Sequence, residues 1–402
     1  MAQPRQQPQR HQRTFRGFVP FASPFESVVP YQNHSSLETS SAVRLERTIA
    51  VMPQYTLPEI LVLGYDSNRI PGGVTVVTDI LLKNLPNARL LPIKHCYRPA
   101  ALDASLYFLS LIKFIAILAR RRKSLLVHAI VASRGDRVRA IPILLACALF
   151  RVPLCIQYHK NLSGLIFKPG SLRDRGINLV YGLSDLHVFL SAALRREFLE
   201  MAPKLGETTI INNALADSWM RLNPTPLKER KIDIVFFGRW NAEKGIDVLL
   251  NYLRTTSHEI RCEIYSDHVP KEPIKNAVVK PWVTEQEVRS VLMTSRVLVL
   301  PSNLEAYPTV LLEALACGTP FVATNIGGIP DIAAESGGGI LVQPSDSSAL
   351  GAAIEQLLSD EAAWSLRSNS GWQWVNQTCS IKRVLPLWSE AYASIQNHRG
   401  VR

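Results

Sequence analysis

Two carboxylates eight positions apart, Glu305 and Glu313, lie in the stretch 301–330, PSNLEAYPTVLLEALACGTPFVATNIGGIP. The first follows an apolar run, Arg296 to Leu300, that reads as a buried strand. The second falls inside a helix that Pro308 opens and Gly318 closes. In open α/β sheets ligands bind at such strand ends, and a free helix amino terminus suits an anion such as a diphosphate. Glutamates there fit two chemistries: a general acid and base, as in glycoside hydrolysis, or acceptors for sugar hydroxyls. A second loop, Gly238-Arg239-Trp240 to Lys244-Gly245, follows the strand Ile232 to Phe237. Arg and Lys five apart before a helix hold phosphates by bidentate and point-charge contacts, although solvated basic loops are common. The first half adds Gly72 and Gly73, at a strand-to-helix turn where backbone approaches a ligand closely, and His159, just past the strand Pro153 to Tyr158.

The elements that must hold these residues alternate strand and helix along the chain, which predicts α/β architecture with parallel, doubly wound sheets. A length of 402 residues asks for two such domains plus extensions. We place a basic, Gln- and Pro-rich tail at 1–50, a first domain at 51–222 and a second at 223–378, with the rest a terminal helical region, 379–402. Residues Ser105 to Lys123 read as a helix ending in Arg120-Arg-Arg-Lys. It either covers a sheet, its basic last turn complementing the dipole, or docks on a membrane. Its apolar run, Leu106 to Ala119, is interrupted by Lys113 and is shorter than the ~18 residues a span needs.

Composition narrows the partners. The formal charge is +12, and residues 1–220 hold 27 Lys and Arg against 14 Asp and Glu, while the remainder is near neutral. The basic half therefore faces something anionic. An anionic membrane surface is preferred over nucleic acid, for which no recognition motif is present. The six cysteines are scattered without a C-x-x-C pair, which fits reduced thiols in a reducing compartment. No secretory signal is visible. The expected location is cytoplasmic, peripheral on the inner face of the membrane. The absence of G-x-G-x-x-G argues against a dinucleotide oxidoreductase.

With these motifs in place, the sequence resembles the retaining glycosyltransferases of family 4 (glycosyl transferases group 1) over roughly residues 59 to 395. Glu305 to Glu313 and the following A-x-x-x-G-x-P-x-V-A-T run resemble the family's E-x7-E region. Gly238-Arg239 with Lys244-Gly245 resembles its phosphate-contacting G-R…K-G. Gly72-Gly73-Val74 resembles its amino-terminal glycine loop, and Gln157-Tyr158-His159 the place of a histidine beside the donor sugar. Ile211-Asn212-Asn213-Ala214 departs from the usual I-P-N-G, and Tyr265 to Pro270 and Lys280-Pro281-Trp282 replace glycine-containing turns on the donor-base side.

The resemblance implies a GT-B fold, two Rossmann-like domains facing a cleft, with the last helix returning to the first domain. It implies transfer of a hexose from a nucleotide sugar, such as a UDP- or GDP-hexose, to a saccharide or lipid-linked saccharide in polysaccharide or glycolipid synthesis. Arg239 and Lys244 would then neutralise the diphosphate. Glu313 would accept ribose hydroxyls, and Glu305 and His159 would meet the transferred sugar. Backbone amides around Ala306 to Thr309, the loop Ala306, Tyr307, Pro308 and Thr309, would add with the helix dipole to leaving-group stabilisation. No cofactor or metal is expected: the alternative sugar-transfer architecture uses Asp-x-Asp, and the 13 Asp residues never fall two apart. A GT-B epimerase or phosphorylase-like enzyme is the alternative, and a silent carbohydrate-binding subunit a third reading.

Overall fold

The computed structural model describes residues 58–65, 72–85, 87–94, 100–166, 168, 170–202 and 205–400; the expected basic tail lies outside them. The first six strands are β1 (Glu59–Tyr65), β2 (Ala88–Lys94), β3 (Leu125–Val131), β4 (Leu154–Tyr158), β5 (Leu186–Phe189) and β6 (Glu207–Ile210). They form one parallel sheet in the order β2-β1-β3-β4-β5-β6. Its helices are α1 (Gly73–Asn84), α2 (Ala100–Arg121), α3 (Arg134–Phe150), the short α4 (Leu162–Leu165), α5 (Leu172–Tyr181) and α6 (Ala192–Met201). Strand β3 is buried along its whole length, as expected of a parallel strand covered on both faces, so it shows an apolar run instead of alternation.

The second sheet comprises β7 (Ile232–Phe237), β8 (Cys262–Ser266), β9 (Ala277–Pro281), β10 (Ser295–Leu300), β11 (Phe321–Thr324) and β12 (Gly339–Val342). It is also parallel, in the order β12-β11-β10-β7-β8-β9. The helices here are α7 (Ile246–Thr255), α8 (Glu285–Thr294), α9 (Thr309–Ala316), α10 (Ile329–Ser336), α11 (Ser347–Ser359), α12 (Glu361–Thr378) and α13 (Ile381–Gly400). Strand order reverses between β1 and β3 in one sheet and between β7 and β10 in the other, and each reversal opens a crevice at the strands' carboxyl ends.

Two sheets doubly wound by helices are what the alternating pattern predicts. Side-chain caps start several helices where the sequence places Ser or Thr: Ser191 accepts from Leu194 N, and Thr284 forms a full capping box with Glu287. Helix α13 supplies Ile381, Val384, Trp388 and Tyr392 to the core beneath β1, β3 and β5. The Tyr392 hydroxyl lies 2.9 Å from His128 Nδ1 on β3. The five described cysteines, Cys147, Cys155, Cys262, Cys317 and Cys379, are buried and unbonded to one another.

Helix α2 corrects its predicted extent. It starts five residues before Ser105 and runs for 22 residues, so by length and composition it is able to cross a membrane. Phe114 and Leu118 on its inner side are nevertheless built into the core of the first sheet.

Helix α9, which carries Glu313, is anchored from below by Arg230. This buried guanidinium donates to the carbonyls of Ser295, Cys317, Thr225 and Leu292 at 2.6–3.1 Å. It also reaches Gly318 O and Thr319 Oγ1, and lies over the Trp364 ring. A cation at the carboxyl ends of α8 and α9 complements both dipoles and occupies carbonyls the helices leave unsatisfied. Burial lowers its pKa to about 10.

Candidate functional site

Neighbouring strands explain why residues far apart in sequence meet. Strands β7 and β10 pair at the reversal point, so the loops leaving their carboxyl ends lie side by side. One holds Gly238 to Gly245, the other Pro301 to Pro308. Lys244 Nζ lies 2.5 Å from Glu305 Oε1, and the Ser302 hydroxyl donates to that same oxygen at 2.8 Å. Read from sequence, Lys244 serves a phosphate and Glu305 a sugar. In the structure they hold each other.

The approach of the two loops requires glycine at 245. Its φ is +64°, and a Cβ there would fall 1.9 Å from the Pro301 carbonyl oxygen. Gly238 is constrained differently, by the Phe236 ring at 2.6 Å from its own Cβ position. Arg239 is exposed on the same loop. The turn is pinned by Asp267, which accepts the Trp240 amide at 2.8 Å; that bond leads the causes that lower the Asp267 pKa.

The Pro301–Pro308 loop is held from both domains. The Ala306 carbonyl accepts Gly328 N at 2.6 Å, and the Tyr307 carbonyl accepts Asn213 Nδ2 at 2.8 Å. The side chains of Ala306 and Tyr307 are buried with Leu190 and Leu194 of the first domain. Tyr307 is therefore a packing residue between the domains as well as a member of the loop. No side chain caps α9 at Pro308, so its amino end keeps its positive partial charge and free donors.

Thr309 begins α9, one turn before Glu313. Burial pushes the partly accessible Glu313 carboxyl up to about 7, the negative charge of Glu285 adds to the rise, and Thr309 opposes it. Gly73, at the start of α1, faces this point from the other domain: a Cβ built on it would lie 3.5 Å from Thr309 Oγ1. Gly72 is extended, with nothing within 4 Å of its Cβ position.

His159 follows β4 with its amide bonded to the Val131 carbonyl at 2.8 Å. Its Nε2 is buried without a hydrogen-bond partner. Burial, assisted by the nearby His128, lowers its pKa to about 3, so the ring is neutral at physiological pH and offers one directed polar atom. Next to it Lys160 reaches Glu243 of the second domain at 3.4 Å, and Asp331 accepts the Ala193 amide at 2.9 Å.

The structure thus brings Arg239, Lys244, Glu305, Glu313 and the amino end of α9 onto adjoining loops of the second sheet, with Gly73 opposite Thr309. Four further residues contribute, none with a role readable from sequence: Ser302, Asn213 of the Ile211–Ala214 departure, Asp267 of the Tyr265–Pro270 segment, and Asp331. Ser302 stands next to the motif and was the nearest to legible; the other three act through partners 27 to 138 positions away. On the edge where the glycine turns are replaced, Glu263, Tyr265 and Lys280 form a closed network, with Lys280 Nζ 2.7 Å from Glu263 Oε2.

Residues 231–360 match the family model described as Glycosyl transferases group 1. A glycogen synthase of Mycobacterium tuberculosis is 27% identical over 234 residues, covering 54% of this chain and 56% of that protein. The chain thus spans about half the length of the curated relatives it matches. Sucrose-phosphate synthase from Thermosynechococcus elongatus superposes with a TM-score of 0.66 at 16% identity, over 85% of this chain and all of the other. Anabaena HepE, solved with UDP and glucose, gives 0.66 at 17%, over 84% and 100%. At these identities the likeness shows the fold, which is GT-B.

Proposed function

We propose that the protein, whose residues 231–360 match the Glycosyl transferases group 1 model and whose described residues form a GT-B frame, transfers a hexose from a nucleotide sugar to a saccharide or lipid-linked saccharide, retaining the anomeric configuration. The observation that supports this best is the meeting of Lys244, Glu305 and an uncapped α9 at one sheet reversal.

In this reading Arg239, Lys244 and the amino end of α9 receive the diphosphate. Breaking the bond from anomeric carbon to phosphate oxygen leaves negative charge there, and fixed donors at that place lower the barrier. Glu313 accepts the ribose hydroxyls. Glu305, once Lys244 turns to the phosphate, accepts hydroxyls of the sugar, and the neutral His159 offers its Nε2 across the cleft. Glu305 keeps the Ser302 hydroxyl on its Oε1, and in this reading it acts as a hydroxyl acceptor, not as a nucleophile. Retention without a protein nucleophile requires the acceptor oxygen to arrive on the face the diphosphate leaves, its proton departing with that group. The positive charge comes from the chain itself, so we propose that no metal is needed. The nucleotide sugar bound by HepE supports a UDP-hexose as the first donor to try.

Incubation with UDP- and GDP-hexoses and a panel of saccharide acceptors, followed by NMR of the product, tests the proposal. Transfer with retained anomeric configuration, insensitive to EDTA, is expected. Release of a free sugar epimer without acceptor, or an inverted product, overturns it.

A further inference from the structure

We propose that the outer face of α2, α3 and α5 is a docking surface for an anionic lipid bilayer. The three helices lie side by side over one face of the first sheet. Tyr107 on α2 donates to the Arg139 carbonyl on α3 at 2.8 Å, and Arg137 on α3 pairs with Asp174 on α5 at 2.6 Å. Their inner residues, Phe114, Leu118, Ile143, Leu144, Ile177 and Tyr181, are buried against the sheet. Their outer sides are apolar too. Phe108 is 61% exposed, Leu109 54%, Ile112 64%, Leu145 49%, Leu149 80% and Leu179 79%. Large apolar side chains on the inner and the outer sides both call for an apolar environment, with exposed Lys113, Arg173 and Arg175 set among the outer ones. Here the sheet supplies only the inner one.

The patch is concentrated. Of the 17 exposed large apolar side chains among the described residues, 11 fall between Leu102 and Leu183. Scattered single residues need no explanation; 11 on and beside three adjoining helices do.

Charge decides the occupant. Residues 100–183 hold 13 Lys and Arg against three Asp, a balance of +10 in a chain whose total is +12. The three acids turn inward: Asp103 to Arg139, Asp136 to Lys94 and Asp174 to Arg137. The exposed cations Arg120, Arg122 and Lys123 stand at the carboxyl end of α2, Arg151 just past α3, and Arg175 on α5. Apolar side chains that enter the acyl region, rimmed by cations for the headgroups, are the requirements of an interfacial surface. Because Phe114 and Leu118 are part of the sheet's core, α2 lies along the bilayer instead of crossing it.

Sedimentation with phosphatidylcholine vesicles, with and without phosphatidylglycerol, tests this on the full chain. Binding to the anionic vesicles at low salt, at least tenfold over neutral ones and weakened by salt, is expected. Ile112→Glu with Leu149→Glu should reduce it at least tenfold, and each of Arg120→Glu and Arg122→Glu by about fivefold or more. None of these residues belongs to the proposed transfer site, so transfer to a soluble acceptor should persist. Phe108→Trp fluorescence should shift to the blue only with anionic vesicles. Absence of wild-type binding overturns the proposal. So does a dimer in light scattering that the Ile112 and Leu149 changes dissolve, since the face would then be covered by a second copy. Either result leaves the transfer reaction itself intact.

Discussion

Glu313 gives the sharpest test of how the donor is held. Its carboxyl is raised from 4.5 to about 7, first by burial and then by the charge of Glu285. Two ribose hydroxyls donate well only to the ionised form, so donor binding must be accompanied by loss of a proton at low pH. The apparent Kd then grows by the ratio of protonated to ionised carboxyl. That is about tenfold at pH 6 and about a hundredfold at pH 5, relative to pH 8. The empty protein shows the opposite trend. Its folded state holds this proton more tightly than the unfolded chain, so the contribution to stability is full below about pH 4.5 and is lost as pH rises through about 7. The size is at most about 3 kcal/mol, and less because the carboxyl keeps some contact with solvent. Titration calorimetry with a UDP- or GDP-hexose from pH 5.5 to pH 8, in buffers of different ionisation enthalpy, measures both Kd and proton release. Glu313→Gln should bind weakly and without this pH dependence. A wild-type Kd that stays flat across the range, or the same dependence in Glu313→Gln, refutes the assignment.

Lys244→Ala should weaken nucleoside diphosphate binding by about 10- to 100-fold, the loss of one charge-assisted contact. Glu305→Gln, which frees Lys244, should leave that binding unchanged or tighter while transfer falls at least tenfold; calorimetry and steady-state kinetics separate the two. Gly245→Ala should destabilise by about 3 kcal/mol or more, since φ is positive and the Pro301 carbonyl blocks the Cβ. Gly72→Ala meets nothing in the protein, so its melting temperature should hold, and a raised donor KM would report the ligand itself. Arg230→Met leaves buried carbonyls at Thr225, Ser295 and Cys317 without this donor. A loss of about 3–5 kcal/mol in denaturant titration is expected, with Arg230→Lys restoring only part because one ammonium cannot reach all the carbonyls.

What the sequence made legible follows local rules. Ile232 to Phe237 matches β7 to the residue because a short apolar run in a parallel sheet has clear ends. Pro308 and Gly318 bracket α9 for reasons contained in their own backbones; Gly318 has φ +65°. Strand β2, Ala88–Lys94, was missed: it contains Pro92, and all but one of its residues are only partly buried, so no apolar run marks it. Helix α10 is short, and Pro330 sits in its first turn, where its missing N–H costs nothing. The apolar run that marks α2 begins at Leu106, and Asp103 and Ser105 separate it from the first turn, which starts at Ala100. In the site, residue types and loops were readable, but partners were not. Lys244 and Glu305 are 61 positions apart and meet only because β7 and β10 pair. Arg230 lies in a Pro- and charge-rich stretch, 223–231, and its carbonyl partners lie 62 to 87 positions away, beyond the reach of local sequence.

The most direct measurement is a crystal structure with a nucleoside diphosphate hexose bound. The diphosphate should lie at the amino end of α9, with Lys244 Nζ turned from Glu305 onto a phosphate oxygen, Arg239 on the other side and the ribose hydroxyls on Glu313. A nucleotide bound elsewhere, with Lys244 still on Glu305, would contradict the proposed donor site.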